Sequence, residues 1–288
     1  MRSGITILPE HPWSVAATLW KRAEEYGFDH AWTYDHLSWR SLADGPWHAT
    51  IPTLTAAAMA TARIRLGTFV ASPNFRHPVP FAKELATVDE ISGGRFTLGV
   101  GSGGTGFDAT VFGDDVLPAR ARHARFESFV TALDQLLRHE TDGPISFSDD
   151  WYTAHEARMV GTPAQEPRMP FVIAANGPKG QRLAARYGSG WLTTGAGGDD
   201  ERTWWRRTGD LMKRFQDAAG AAGRRDYDAY VSIDAGPVYS LSSAEAYRDA
   251  VGRAAELGFT DTVCHWPRPD GVYSGSEAVL DEIAPARE

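Results

Sequence analysis

The chain has 288 residues, 42% of them hydrophobic and 23% charged, which is enough apolar sequence for a real core. Its net charge of -8 argues against a nucleic-acid phosphate track or an acidic membrane patch, so a small molecule is the expected partner. The single cysteine, Cys264, excludes an internal disulfide and a Cys-rich metal site, and with no apolar run of signal-peptide or membrane-spanning type the cytoplasm is the expected location.

Short apolar runs alternate with amphipathic segments. "GITIL" reads as a first strand, and "WSVAATLWKRAEEY" places Ala16, Leu19, Trp20 and Ala23 on one helical face. Gly27 follows as a stop. Strand "HAWTY", helix "TIPTLTAAAMAT", strand "IRLGTFV", helix "PFAKELATVDEIS", strand "FTLGV" and helix "ARARHARFESFVTALDQLLR" come next. After an irregular stretch the rhythm resumes with "FVIAA", "KGQRLAARY", "GWLTT", "ERTWWRRTGDLMKRFQDAA", "AYVSID", "SAEAYRDAVGRAAEL", "DTVCHW" and a last helical segment.

Strict alternation with short, mostly apolar strands implies a parallel sheet covered on both faces. Eight such units predict an α/β fold of the closed (β/α)8 TIM-barrel type, one domain over residues 1–288. The stretch "HETDGPISFSDDWYTAHEARMVGTPAQEPRMP" is too long for a routine connection and predicts an excursion after the fourth strand with its own small β element.

Sites in such barrels lie at the C-terminal strand ends. The first strand is followed by Glu10 and His11, the second by Asp35, His36 and Trp39, the third by "ASPNFRHP" and the fourth by "GSGGTGFD". "ANGPKG" follows the fifth. His36 can hydrogen-bond to a ring or move a proton, because imidazole titrates near neutral pH; the plainer alternative is a capping Asp beside a packed His. In "GVGSGGTG" the N–H groups of Ser102 and Gly103 suit an anion, although a flexible loop needing positive φ reads the same way. Pro178 suits a first helical turn, so Gly177 and the backbone after it suit a phosphate at a helix N-terminus. Most tryptophans, Trp20 among them, belong to helix faces and the core, whereas Trp39 and Trp47 fall in a loop and are candidate pocket walls. No His-x-x-x-His pair, Gly-x-Ser-x-Gly elbow or metal-spaced carboxylate cluster occurs, which gives hydrolase and metalloenzyme readings little support.

The runs "AEEYGFDHAWTYDH", "ARIRLGTFVASPNFRHPVPFAKELATVDEISGGRFTLGVGSG" and "VIAANGPKGQRLAARYGSGW" resemble the luciferase-like monooxygenase superfamily, TIM-barrel enzymes that use FMN or the deazaflavin coenzyme F420. The "DH" after the second strand resembles the deazaflavin branch. That resemblance implies a cis peptide at Phe69-Val70 behind the cofactor ring, Asp35 and His36 at the ring, and Ser102 and Gly103 at the phosphate or side chain. Ala175, Asn176, Gly177 and Pro178 would form a second polar clamp, with Glu10 near the ring. It further implies an oxidoreductase passing hydride between coenzyme F420 and a small organic substrate, with His36 and then Glu10 as candidate catalytic residues, and relatives of this kind are often homodimers. The sugar-phosphate dehydrogenases of the branch carry a glutamate where this chain has Gly104, so glucose 6-phosphate is not the expected substrate. Two alternatives stand beside this reading. One is an FMN-dependent monooxygenase served by a flavin reductase; the other is a non-catalytic barrel that binds a cofactor or metabolite.

Overall fold

The computed structural model describes residues 1–138, 143–161 and 163–284. Its first half runs β1 (Arg2–Thr6), α1 (Trp13–Glu25), β2 (His30–Thr33), α2 (Thr50–Ala60), β3 (Arg65–Thr68), α3 (Pro78–Ile91), β4 (Phe96–Gly101) and α4 (Ala119–Leu137). An antiparallel pair, β5 (Ile145–Ser148) and β6 (Thr153–Ala157), follows. The chain then continues through β7 (Phe171–Ala174), α5 (Pro178–Tyr187), β8 (Gly190–Thr193), α6 (Glu201–Ala221), β9 (Asp228–Ser232), α7 (Ala244–Glu256), β10 (Asp261–His265) and α8 (Ala278–Ile283). Eight strands close a parallel barrel in the order β1-β10-β9-β8-β7-β4-β3-β2, and the β5-β6 pair stands apart. The expected (β/α)8 barrel and the small β element of the excursion are therefore both present; residues 139–142 and 162 of that excursion lie outside the described residues.

Local chemistry sets the element ends. Pro78 and Pro178 open α3 and α5 in the first turn, where a missing N–H costs no hydrogen bond. Asp200 and Ser243 cap α6 and α7 by accepting from the N–H groups of Thr203 and Ala246. Strands β2, β4 and β10 are buried at every position, as a sheet covered on both faces requires. The seam closes at the barrel base, where Arg2 of β1 meets Asp261 of β10 in register. There Asp261 accepts from both Arg2 nitrogens at 2.8 and 2.7 Å and lies 3.0 Å from His30 Nε2.

Two apolar layers result. The larger packs helices on strands; the smaller fills the barrel with Trp32, Tyr34, Phe69, Val172, Leu192 and Tyr230 among others. The hairpin leans on the mouth through Tyr152, whose ring meets His77 at 5.4 Å and Phe129 of α4 at 5.8 Å. No helix among the described residues is long and apolar enough to cross a membrane.

Candidate functional site

Beyond β3 the Phe69-Val70 peptide is cis, as the resemblance implied. Ala71 then bridges to Val100, its N–H donating to Gly99 O at 2.8 Å while the Gly101 N–H donates to Ala71 O at 2.8 Å. Two glycines make this close approach possible. A Cβ at Gly99 would lie 2.0 Å from Thr68 O, and one at Gly101 would lie 2.9 Å from Val70 Cγ2. Gly103 has φ +79, and a Cβ there would lie 2.5 Å from Asn74 Oδ1. The glycines of the fourth-strand turn thus seat the third-strand bulge, a steric role that the sequence pattern did not announce.

Asp35 is 1% exposed, and both its oxygens accept from Arg76, at 2.8 and 2.7 Å. Arg76 also reaches Glu84 at 2.8 Å. Burial pulls the Arg76 guanidinium toward neutrality, but the hydrogen bond and charge of Asp35 outweigh it and hold the guanidinium above its usual value. Asp35 therefore ties β2 to the turn after β3. His36 is different: its side chain is 29% exposed, with Nδ1 2.5 Å from Asp108 Oδ2. Its backbone carbonyl accepts from Trp47 Nε1 at 2.8 Å. Trp47 stacks on Trp39 at 6.5 Å, and both approach Tyr34.

Across the mouth, both Glu10 oxygens accept from Arg268, each at 2.8 Å. The Asn176 amide donates to Gly195 O at 2.7 Å and accepts from Thr193 Oγ1 at 2.6 Å, so it is turned into the protein. The Ala175 carbonyl accepts from Trp191 Nε1 at 2.6 Å. Gly177 caps α5 and Pro178 begins it. Ser102 and Gly103 are half-buried beside the bulge.

A cleft of about 550 Å³ opens beside the β3 and β4 ends, lined by Asn74, Arg76, Asp108, Arg122, Arg125 and Tyr152 among others. Three of its buried donors, Arg122 Nε, Arg125 Nε and Tyr152 OH, have no hydrogen-bond partner among the described residues. Burial lowers the Arg125 guanidinium and raises the Tyr152 phenol. Unpaired buried donors of this kind suit an anionic group. His36 reaches the cleft through Asp108, whereas Glu10 and the Ala175 to Pro178 turn do not line it.

Sequence reasoning missed a second cluster. Tyr34 OH lies 2.8 Å from His265 Nε2 and 3.1 Å from Tyr273 OH, and His265 Nδ1 lies 3.1 Å from Asp234 Oδ2. Asp234 ends the expected strand "AYVSID" and His265 lies one residue inside the end of "DTVCHW", but β9 ends at Ser232 and β10 at His265 itself, which places both at the mouth.

Comparison with known proteins accords with this architecture. An F420-dependent glucose-6-phosphate dehydrogenase of Amycolatopsis mediterranei (strain U-32) is 33% identical over 217 residues, 74% of this chain and 62% of that protein. A 4-hydroxyprotoasukamycin monooxygenase of Streptomyces nodosus subsp. asukaensis is 33% identical over 204 residues, 67% of this chain and 52% of that protein. The matched segments thus span less than two thirds of these relatives. The solved structure of an F420-dependent secondary alcohol dehydrogenase with an F420-acetone adduct has a TM-score of 0.77 at 19% identity, covering 92% of each chain, a likeness of fold. The model of the luciferase-like monooxygenase family matches residues 1–284, and the chain belongs to that family.

Proposed function

We propose that this protein is an oxidoreductase that exchanges hydride between coenzyme F420 and a small organic substrate. One observation carries the reading: the third-strand bulge, Phe69 to Ala71, is packed on Gly99 and Gly101 at the barrel mouth, and the turn after it lines a cleft where Arg122 Nε, Arg125 Nε and Tyr152 OH have no partner among the described residues. A planar ring with an anionic side chain needs both features. The F420-dependent relative supports the deazaflavin over FMN, and the bound deazaflavin would supply a carbon centre that accepts or gives hydride.

The residues divide the work. Phe69 and Val70 support the ring, and Arg122, Arg125 and Tyr152 bind the anionic chain, with Ser102 and Gly103 as further polar contacts, while the Ala175 to Pro178 turn, outside this cleft and held by the Asn176 bonds to Thr193 and Gly195, meets the ligand through its backbone alone. His36, oriented by Asp108, presents Nε2 to the ligand. Trp39 and Trp47 wall the substrate side. Glu10 and Asp35 act through arginine partners, because each carboxylate already accepts two charged N–H donors.

The FMN alternative draws its support from the monooxygenase relative and would require a reductase partner. Oxygen consumption separates the two. Protein mixed with reduced FMN is expected to leave the rate of oxygen uptake at the level of free flavin, with turnover appearing only with F420. Protein-dependent oxygen uptake with reduced FMN would overturn the proposal.

A further inference from the structure

Tyr273 adopts a positive φ of 60°, and its ring lies flat on His265, centroids 3.8 Å apart and planes at 10°. Hydrogen bonding gives the cluster a direction. Asp234 accepts from the backbone N–H groups of His265 at 2.6 Å and of Ser240 at 2.8 Å and faces His265 Nδ1 at 3.1 Å. An ionised carboxylate in that position puts the imidazole hydrogen on Nδ1 and leaves Nε2 to accept from the Tyr34 hydroxyl. The Tyr34 oxygen in turn accepts from the Tyr273 hydroxyl. The line runs from a half-buried phenol at the mouth to a buried carboxylate.

Satisfying buried polar groups would explain one or two of these bonds. Three further facts point to chemistry. Three acids at the strand ends are engaged, Glu10 by Arg268, Asp35 by Arg76 and Asp108 by His36, and position 104 is glycine. Tyr34 and His265 both touch Phe69 of the bulge, with ring centroids at 6.4 and 6.5 Å, and Tyr34 touches His36 at 5.9 Å. Burial also holds the phenols of Tyr34 and Tyr273 above the usual tyrosine range, so both keep their protons and act by passing them on.

We propose that Tyr273, Tyr34 and His265 form a proton relay serving a substrate hydroxyl, which makes alcohols the substrate class; this rests on the F420 reading. In oxidation, the carbinol C–H bond breaks and its electron pair leaves with the hydrogen as hydride, reducing the deazaflavin. The substrate O–H proton passes to the Tyr273 oxygen, the Tyr273 proton to Tyr34 and the Tyr34 proton to His265 Nε2. A carbonyl forms, and the alcohol is oxidised. Asp234 is a positioning residue that keeps Nδ1 protonated and faces the resulting imidazolium. Reduction of a carbonyl runs the same steps backward.

Tyr273→Phe and Tyr34→Phe each remove one hydroxyl and keep the ring contacts. With F420 and the probe alcohols isopropanol, cyclohexanol and benzyl alcohol, each variant is expected to lose about 100-fold in kcat while KM and F420 affinity hold. A second readout needs no turnover. Histidine-selective nitrogen NMR of the cofactor-free protein should show His265 as the neutral Nδ1–H tautomer, with an Nε2 resonance that Tyr34→Phe moves. Unchanged kcat in Tyr273→Phe, or a His265 resonance indifferent to Tyr34→Phe, would overturn the relay. So would a wild-type protein that binds F420 but converts none of the alcohols or their carbonyls, a result that leaves the cofactor reading standing. Failure to bind F420 removes both.

Discussion

His36 Nδ1 and Asp108 Oδ2 meet at 2.5 Å across 72 positions of sequence. Asp108 also accepts from the Leu37 N–H at 2.8 Å, so one carboxylate fixes both the loop after β2 and the imidazole within it. Which nitrogen of a histidine faces a ligand is set by the bond the other makes. Asp108→Ala is therefore expected to lower kcat about 10- to 100-fold, the loss of a charge-assisted hydrogen bond. His36→Ala should lower turnover or F420 affinity at least as far. Steady-state kinetics and a fluorescence titration check both, and a His36→Ala protein intact in both respects would remove His36 from the mechanism.

The arginines of the cleft answer to a different comparison. Arg125 donates to Asn74 Oδ1 at 2.5 Å, while its Nε is buried without a partner among the described residues. Arg125→Ala should weaken F420 by about 10- to 100-fold and leave a deazaflavin lacking the phosphate-bearing chain nearly unaffected. Equal weakening of the two ligands would show that Arg125 supports the ring seat and not the anion.

Gly99 provides a steric test of that seat. The clash of a new Cβ would be with the Thr68 carbonyl at 2.0 Å, a backbone atom that cannot rotate away. Gly99→Ala is expected to cost about 1–3 kcal/mol, read as a lower urea midpoint, with F420 affinity falling as well. Full stability in this variant would mean that the bulge relaxes without cost.

Acid should loosen the barrel at its base. Burial raises the Asp261 carboxyl, but hydrogen bonds from His30 and Arg2 outweigh it and hold the group below the ordinary carboxylate range. In the unfolded chain an aspartate titrates near pH 3.9, roughly. The folded value is the lower one, so the contribution is complete above the unfolded value and is lost as pH falls through the folded one. The urea midpoint is expected to drop on acidification below about pH 5, and Asp261→Asn should reduce that slope while costing about 1–3 kcal/mol at neutral pH, since Arg2 is half exposed and keeps Asp228 as a partner. An unchanged slope in the variant would place the acid sensitivity elsewhere.

The barrel was legible because its signals are local: short apolar strands, proline-opened helices, and Gly27 at the end of α1. His36, Trp39, Trp47 and the third-strand turn were legible for the same reason, since each falls in the loop that follows a strand. What was not legible depends on barrel closure. Arg268 meets Glu10 across 258 positions, His265 meets Tyr34 across 231 and Arg76 meets Asp35 across 41. A pattern read along the chain identifies each carboxylate but not the arginine that occupies it. Strand boundaries hid the rest: with "AYVSID" and "DTVCHW" taken whole, the residues past each strand begin at Ala235 and Pro267, just beyond Asp234 and His265.

Titration of the purified protein with F420 and, in parallel, with FMN, following the tryptophan signal and the fluorescence of each cofactor, decides which ring the barrel mouth holds. Micromolar or tighter binding of F420 is expected, with FMN bound far more weakly. Preference for FMN, or no preference between the two, would contradict the F420 reading.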